Sequence, residues 1–190
     1  MAIPAPFESE QLQSLRAYYE TLELPDLLPL AREDIFLIGA FVQTFNFIEL
    51  NLRRSIEVFC AAGLIAPKKQ VHTSELVELV KNAVSKLGLA APELSDSLGK
   101  LDEIEFRRPF RNLLAHWAAR RVPGHDAIVL LSMDKKDAVA ALGVQTLTKD
   151  HCAYSLLMLP DLRGLLVHIS TYDEWLAKKT SEWHIQCSSA

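Results

Sequence analysis

Three residues in the stretch FRNLLAHW, Arg111, Asn112 and His116, carry side chains that together can handle a phosphate ester. Arginine grips phosphate oxygens through a planar fork of donors, imidazole takes or gives a proton near neutral pH, and an amide can orient the ring. Asn112 and His116 are four residues apart, so in a helix they are neighbours one turn apart. Arg107, Arg108, Arg120 and Arg121 flank them, with no acid between Phe106 and Arg121. Such a patch can track a nucleic-acid backbone without reading its sequence.

These residues need an element to aim them, and the periodicity predicts a helix over 106–119. At about 100° per residue, Phe106, Phe110, Leu113 and Trp117 form one narrow apolar stripe. Arg108, Arg111, Asn112 and His116 lie away from it, interleaved with Ala115, Ala118 and Ala119. The alanines leave that face low, so it is the predicted dimer face. A second copy of the helix would bring two Arg and two His into one positive cleft. The plainer reading is a solvated Arg/Ala face with a structural histidine, since both residue types are at home on exposed helices.

The other elements follow from the same signals. A short helix is expected over 8–22, ended by Pro25 and Pro29. A long one over 32–62 is lined by Phe41, Phe45, Ile48, Leu52, Ile56 and Phe59 and stopped by Gly63. Glu49 lies in that stripe and is a candidate supporting carboxylate, either paired with the basic helix or reaching solvent at the stripe's edge. Helices are expected over 74–87 and 92–105, the second broken near Gly99. The segment 127–133, AIVLLSM, reads as a strand after the turn VPGHD, with 143–148 as its hairpin partner. Residues 149–180 read as helix divided at Pro160, with 153–159 as an alternative strand. The fold class is therefore mainly α, with a small β-hairpin inserted before the C-terminal helix and no alternating series for a doubly wound sheet. The expected organisation is an N-terminal arm and short helix (1–30), a helical domain (31–183) and a frayed tail (184–190).

Composition narrows the function classes. The chain has 190 residues, a formal net charge of -4 and 49% hydrophobic residues, so an anion-binding role must come from a local patch. Cys60, Cys152 and Cys187 give neither a disulfide framework nor a metal-binding pattern, and no metal or cofactor is expected. No secretory signal and no uncharged apolar stretch of membrane-spanning length is read, so a cytoplasmic protein without membrane contact is expected. There is no HExxH pair, no phosphate-cradling glycine loop and no aromatic strand motif for stacking bases.

The stretch FRNLLAHW resembles the Arg-(Asn/His/Asp)-x3-His form of the motif of the HEPN superfamily. Arg111 stands at that family's arginine, Asn112 at its polar position and His116 at its histidine. Arg120 to His125 and Arg163 to His168 match the looser Arg-x4-His spacing, but the first crosses a turn and the second lacks the polar residue. The resemblance implies an HEPN-like helical bundle and a metal-independent endoribonuclease, acting as a homodimer, that leaves a 2′,3′-cyclic phosphate. His116 would move the proton, Arg111 hold the phosphate and Asn112 fix the ring or add a hydrogen bond. It implies a role in defence or as a toxin, with an antitoxin or a nucleotidyltransferase as the kind of partner. Many relatives are instead non-catalytic dimerisation or partner-binding modules, and that alternative stands beside the nuclease.

Overall fold

In the computed structural model, which describes residues 9–68, 70–133, 148–149 and 152–188, Ser9 opens the first helix, α1 (Glu10–Thr21). Its Oγ accepts the Leu12 N–H at 3.2 Å, satisfying one orphan donor of the first turn. Asp34 does the same for α2 (Arg32–Ala61), accepting the Ala31 N–H at 2.8 Å. Gly63, at φ 72°, ends α2 by turning the Gly63 and Leu64 N–H groups back to Cys60 and Phe59 carbonyls at 3.0 and 2.9 Å. A 3-10 turn (Thr73–Glu75) leads into α3 (Leu76–Val84), followed by α4 (Ala91–His116). Four strands come next: β1 (Ala118–Arg121), β2 (Ala127–Ser132), β3 (Thr148–Lys149) and β4 (Cys152–Met158). The last helix, α5, spans Leu159–Ser188.

The chain divides into two compact units, Met1–Val42 with Pro109–Val167, and Gln43–Arg108 with His168–Ala190. The first is built on an antiparallel sheet in the order β1-β2-β4-β3. Arg121 pairs with Ile128, Ile128 with Leu157, and Thr148 with Ala153. Helix α1 lies on this sheet, with Leu15 and Tyr19 packed among Val122, Val129, Tyr154 and Leu156. Outside β1, Leu28 and Arg121 exchange backbone hydrogen bonds of 3.1 and 2.9 Å, which covers part of the sheet edge. The second unit is helical. Phe45, Ile48, Leu52, Phe59, Val80, Leu101, Leu176 and Trp183 are buried in it. A buried hydrogen bond between the Ser55 and Thr180 hydroxyls, 2.9 Å, joins α2 to α5 there.

The chain is mainly helical, but the expected HEPN-like helical bundle with a small β-hairpin is corrected by the four-stranded antiparallel sheet. The partner of β2 across the VPGHD turn is β1, upstream, whereas the predicted partner over 143–148 lies outside the described residues except for Thr148, which pairs with β4. The alternative strand over 153–159 forms, as β4. The helices expected over 92–105 and 106–119 are one continuous α4, with Gly99 inside it and Pro109 tolerated in its interior. Pro160 does not divide α5 but sits in its first turn, where its missing N–H costs nothing, and the helix continues past Trp183 to Ser188. Helix α2 is, by length and composition alone, long and apolar enough to cross a membrane, a test that a soluble core helix also passes. Its apolar run contains one acid, Glu49.

Candidate helix-end phosphate site

Arg111, Asn112 and His116 occupy the last two turns of α4, within the sheet-bearing unit. Phe110, Leu113, Leu114 and Trp117 are buried and hold this end of the helix by its apolar face. Phe106, the remaining member of the predicted stripe, is half-buried. The Trp117 N–H donates to the Leu113 carbonyl at 3.0 Å, after which the backbone enters β1.

His116 is therefore the final helical residue, and it is exposed. Arg111 and Asn112 are half-buried, and Arg111 Nη1 donates to Asn112 Oδ1 at 3.3 Å. The amide thus orients the guanidinium rather than the imidazole, which differs from the role first expected for it. The last two turns of α4 thus carry a guanidinium, the amide that braces it and, one turn after that amide, an exposed imidazole, groups of the kinds that can bind a phosphate and move a proton.

The flanking residues divide differently from the expectation. Arg107 Nε lies 2.7 Å from Glu103, and Arg108 Nε lies 3.0 Å from Glu105, so both arginines face carboxylates of their own helix. Arg121 is drawn inward, 3.5 Å from the buried carboxylate of Asp34 and 3.0 Å from Asp126. Asp126 also meets Arg163 at 3.0 Å. Of the four arginines proposed to track phosphates, Arg120 alone is exposed without a carboxylate partner among the described residues, its Nη1 donating to the Ala119 carbonyl at 3.4 Å.

Glu49 pairs with Arg53 of its own helix at 2.8 Å and accepts from Thr73 at 3.3 Å, not from the basic stretch of α4. The predicted dimer face is also corrected. Ala115 is on α4, but Ala118 and Ala119 are on β1, so the three alanines do not form one helix surface. Tertiary pairing overrides helix propensity here: β2 and Leu28 offer hydrogen bonds on both sides of this short Ala/Arg segment.

One charged cluster was not read from the sequence. In the second unit, Glu103 accepts from Arg107 and lies 3.1 Å from His168 Nε2, and the His168 ring meets Tyr172 edge-on at 4.9 Å. Burial works to raise the Glu103 pKa, but hydrogen bonds from Arg107 and His168 outweigh it and hold this carboxyl below its usual range. The pair is 65 positions apart in the chain, and no local spacing signals it.

No known family model, curated protein or solved structure matches the chain. Among the described residues, no group of three or more His, Cys, Asp or Glu is placed to hold a metal ion.

Proposed function

We propose that this chain is a metal-independent endoribonuclease of HEPN type that acts as a homodimer, with Arg111, Asn112 and His116 as its reactive set. The observation that carries the reading is the position of these three at one helix end. Arg111 is braced by Asn112 at 3.3 Å, and exposed His116 closes the same helix. The resemblance of FRNLLAHW to the HEPN motif supports it independently of the fold.

In the reaction, His116 takes the proton from a ribose 2′-hydroxyl. The 2′-oxygen then bonds to the adjacent phosphorus, and the bond from phosphorus to the 5′-oxygen breaks. Arg111 meets the charge that grows on the non-bridging oxygens, aided by the brace that keeps its fork in place. The departing 5′-oxygen takes a proton from water, leaving a 2′,3′-cyclic phosphate and a 5′-hydroxyl, and protonated His116 returns its proton to solvent. No electron transfer occurs. DNA lacks the attacking hydroxyl and survives. Arg120 is the flanking cation best placed to meet a neighbouring phosphate.

The test is incubation of the purified chain with total tRNA and rRNA in excess EDTA, beside a His116→Ala variant. The substitution is at an exposed position, so the fold should persist by circular dichroism. Loss of general acid–base chemistry should reduce formation of cyclic-phosphate ends by about 100-fold or more. Equal cleavage by both proteins would remove His116 from the mechanism. Intact RNA with folded, unmutated protein would favour the non-catalytic module.

A further inference from the structure

The turn between β1 and β2 is fixed before any ligand reaches it. The His125 N–H donates to the Val122 carbonyl at 3.2 Å, and Gly124 sits at φ 73°. Proline at the second position and a positive φ at the third make this a type II turn, and glycine takes that φ without strain. Just beyond it, the Leu159 N–H at the start of α5 donates to the Asp126 carbonyl at 2.9 Å. The Asp126 carboxylate is held from two sides, by Arg121 at Oδ1 and Arg163 at Oδ2, each at 3.0 Å.

This turn presents His125 to solvent against Tyr18 of α1. The two ring centres are 4.9 Å apart, with planes tilted by 44°. Tyr18 is 37% exposed, while Leu15 and Tyr19 of the same helix are buried against the sheet. Its ring is thus carried on a helix whose rotation is set by the core. Arg163 uses Nη1 for Asp126 and its side chain is 54% exposed, so among the described residues the rest of its fork is uncommitted. All of these residues belong to the sheet-bearing unit.

An exposed aromatic pair, a guanidinium and a carboxylate already neutralised therefore meet at one end of the sheet. An unpaired nucleobase lies on aromatic faces, and a phosphate takes a guanidinium fork. A sugar ring could also lie on the aromatic pair, but it calls for free acceptors, and both oxygens of Asp126 are taken. A double helix keeps its bases stacked on one another and offers the rings nothing.

We infer that Tyr18, His125 and Arg163 form a nucleotide subsite, in which an unpaired base stacks on the ring pair and an adjoining phosphate meets Arg163. This deepens the nuclease reading, on which it rests for the choice of RNA, by making single-stranded RNA the substrate. Strand β1 stands between His116 and the turn, and its four residues span roughly 13 Å. The subsite therefore holds a nucleotide that flanks the cleaved bond, not the one that reacts.

The experiment is fluorescence anisotropy of the full chain with a labelled single-stranded 2′-O-methyl oligoadenylate at low salt. Its blocked hydroxyl cannot attack phosphorus, so binding is read apart from cleavage. A chain that binds this strand but leaves tRNA and rRNA intact would remove the nuclease reading alone. Tyr18→Ala and His125→Ala should each weaken binding by roughly ten-fold, whereas Tyr18→Phe, which keeps the ring, should bind as the unmutated chain does. Arg163→Met should weaken binding and lower the slope of log affinity against log salt by about 0.7, one phosphate's share on a single strand. An abasic strand of the same length should bind more weakly and not distinguish Tyr18→Ala from the unmutated chain. The substituted positions are exposed, so circular dichroism should be unchanged. Equal affinity of the unmutated chain for the base-bearing and abasic strands would overturn the inference. So would undiminished binding by the two alanine variants, an unchanged salt slope in Arg163→Met, no binding at low salt, or an equal hold on the duplex with oligouridylate.

Discussion

Replacing Arg121 with Met should cost stability rather than RNA contacts. Arg121 was expected to grip phosphate, yet its Nε faces Asp34, whose carboxylate is 3% exposed and, among the described residues, has one other bond, the Ala31 N–H at 2.8 Å. Methionine would leave that carboxylate buried without a cation. Breaking a buried pair in this way costs about 3–5 kcal/mol. The 3.5 Å separation is long and Arg121 is 28% exposed, so the value belongs below that range, at roughly 2–3 kcal/mol. The contact with Asp126, whose side chain is 46% exposed, adds roughly 0.5 kcal/mol or less. For a chain of this size the loss corresponds to a fall in Tm of about 5–10 °C, read by differential scanning calorimetry. Asp34→Asn in the Arg121→Met background should recover much of the loss, because the amide oxygen still accepts from Ala31 and no charge is stranded. A fall in Tm below about 1 °C, or no recovery in the double variant, would refute the argument and leave Arg121 among the cations proposed to meet phosphate.

Two further perturbations bear on neighbouring features. Lys149 on β3 directs its ammonium at the carbonyls of Tyr19 (2.9 Å), Glu20 (3.0 Å) and Leu22, and lies 5.0 Å from the centre of the Tyr19 ring. Lys149→Met should cost about 2 kcal/mol and speed hydrogen exchange in the last turn of α1, whereas Lys149→Arg should not restore protection, since a planar fork cannot meet three converging carbonyls. Asp173 has its pKa raised, first by burial and then by Glu174, and its Oδ1 has no hydrogen-bond partner among the described residues. The penalty is absent below the unfolded pKa, grows as the pH rises from there towards the folded one, and is full above it. Asp173→Asn should therefore raise Tm by a few degrees at pH 7 and leave it unchanged near pH 3.5, as thermal melts across pH would show.

The parts of the fold that declared themselves in the sequence are those set by local patterns. The period of Phe41, Phe45, Ile48, Leu52, Ile56 and Phe59 gave α2, Gly63 its end, and the β-branched run after VPGHD gave β2. The sheet was under-read because β1 is AARR, good helix-forming residues whose strand geometry comes from Ile128–Leu131 and Leu28. The turn VPGHD was the available clue. A hairpin turn needs a strand on its upstream side, and only residues 118–122 were there to provide it. At the site, helix geometry placed Arg111, Asn112 and His116 together, because they are close in sequence. What it could not foresee were the carboxylates of Asp34 and Asp126 that claim Arg121, since those contacts depend on how the chain closes.

A single residue, Trp117, separates the end of α4 at His116 from the start of β1 at Ala118. The junction therefore works as a fixed gauge between the His116 imidazole and the sheet. Along β1 the side chains alternate, Arg120 outward and Arg121 toward Asp34. One residue added after Trp117 would exchange those faces throughout the strand, exposing Arg121 and driving Arg120 inward. One removed would do the same while pulling His116 off the helix axis. Substitution within this junction is thus a milder change than any alteration of its length, even one that keeps every side chain named here.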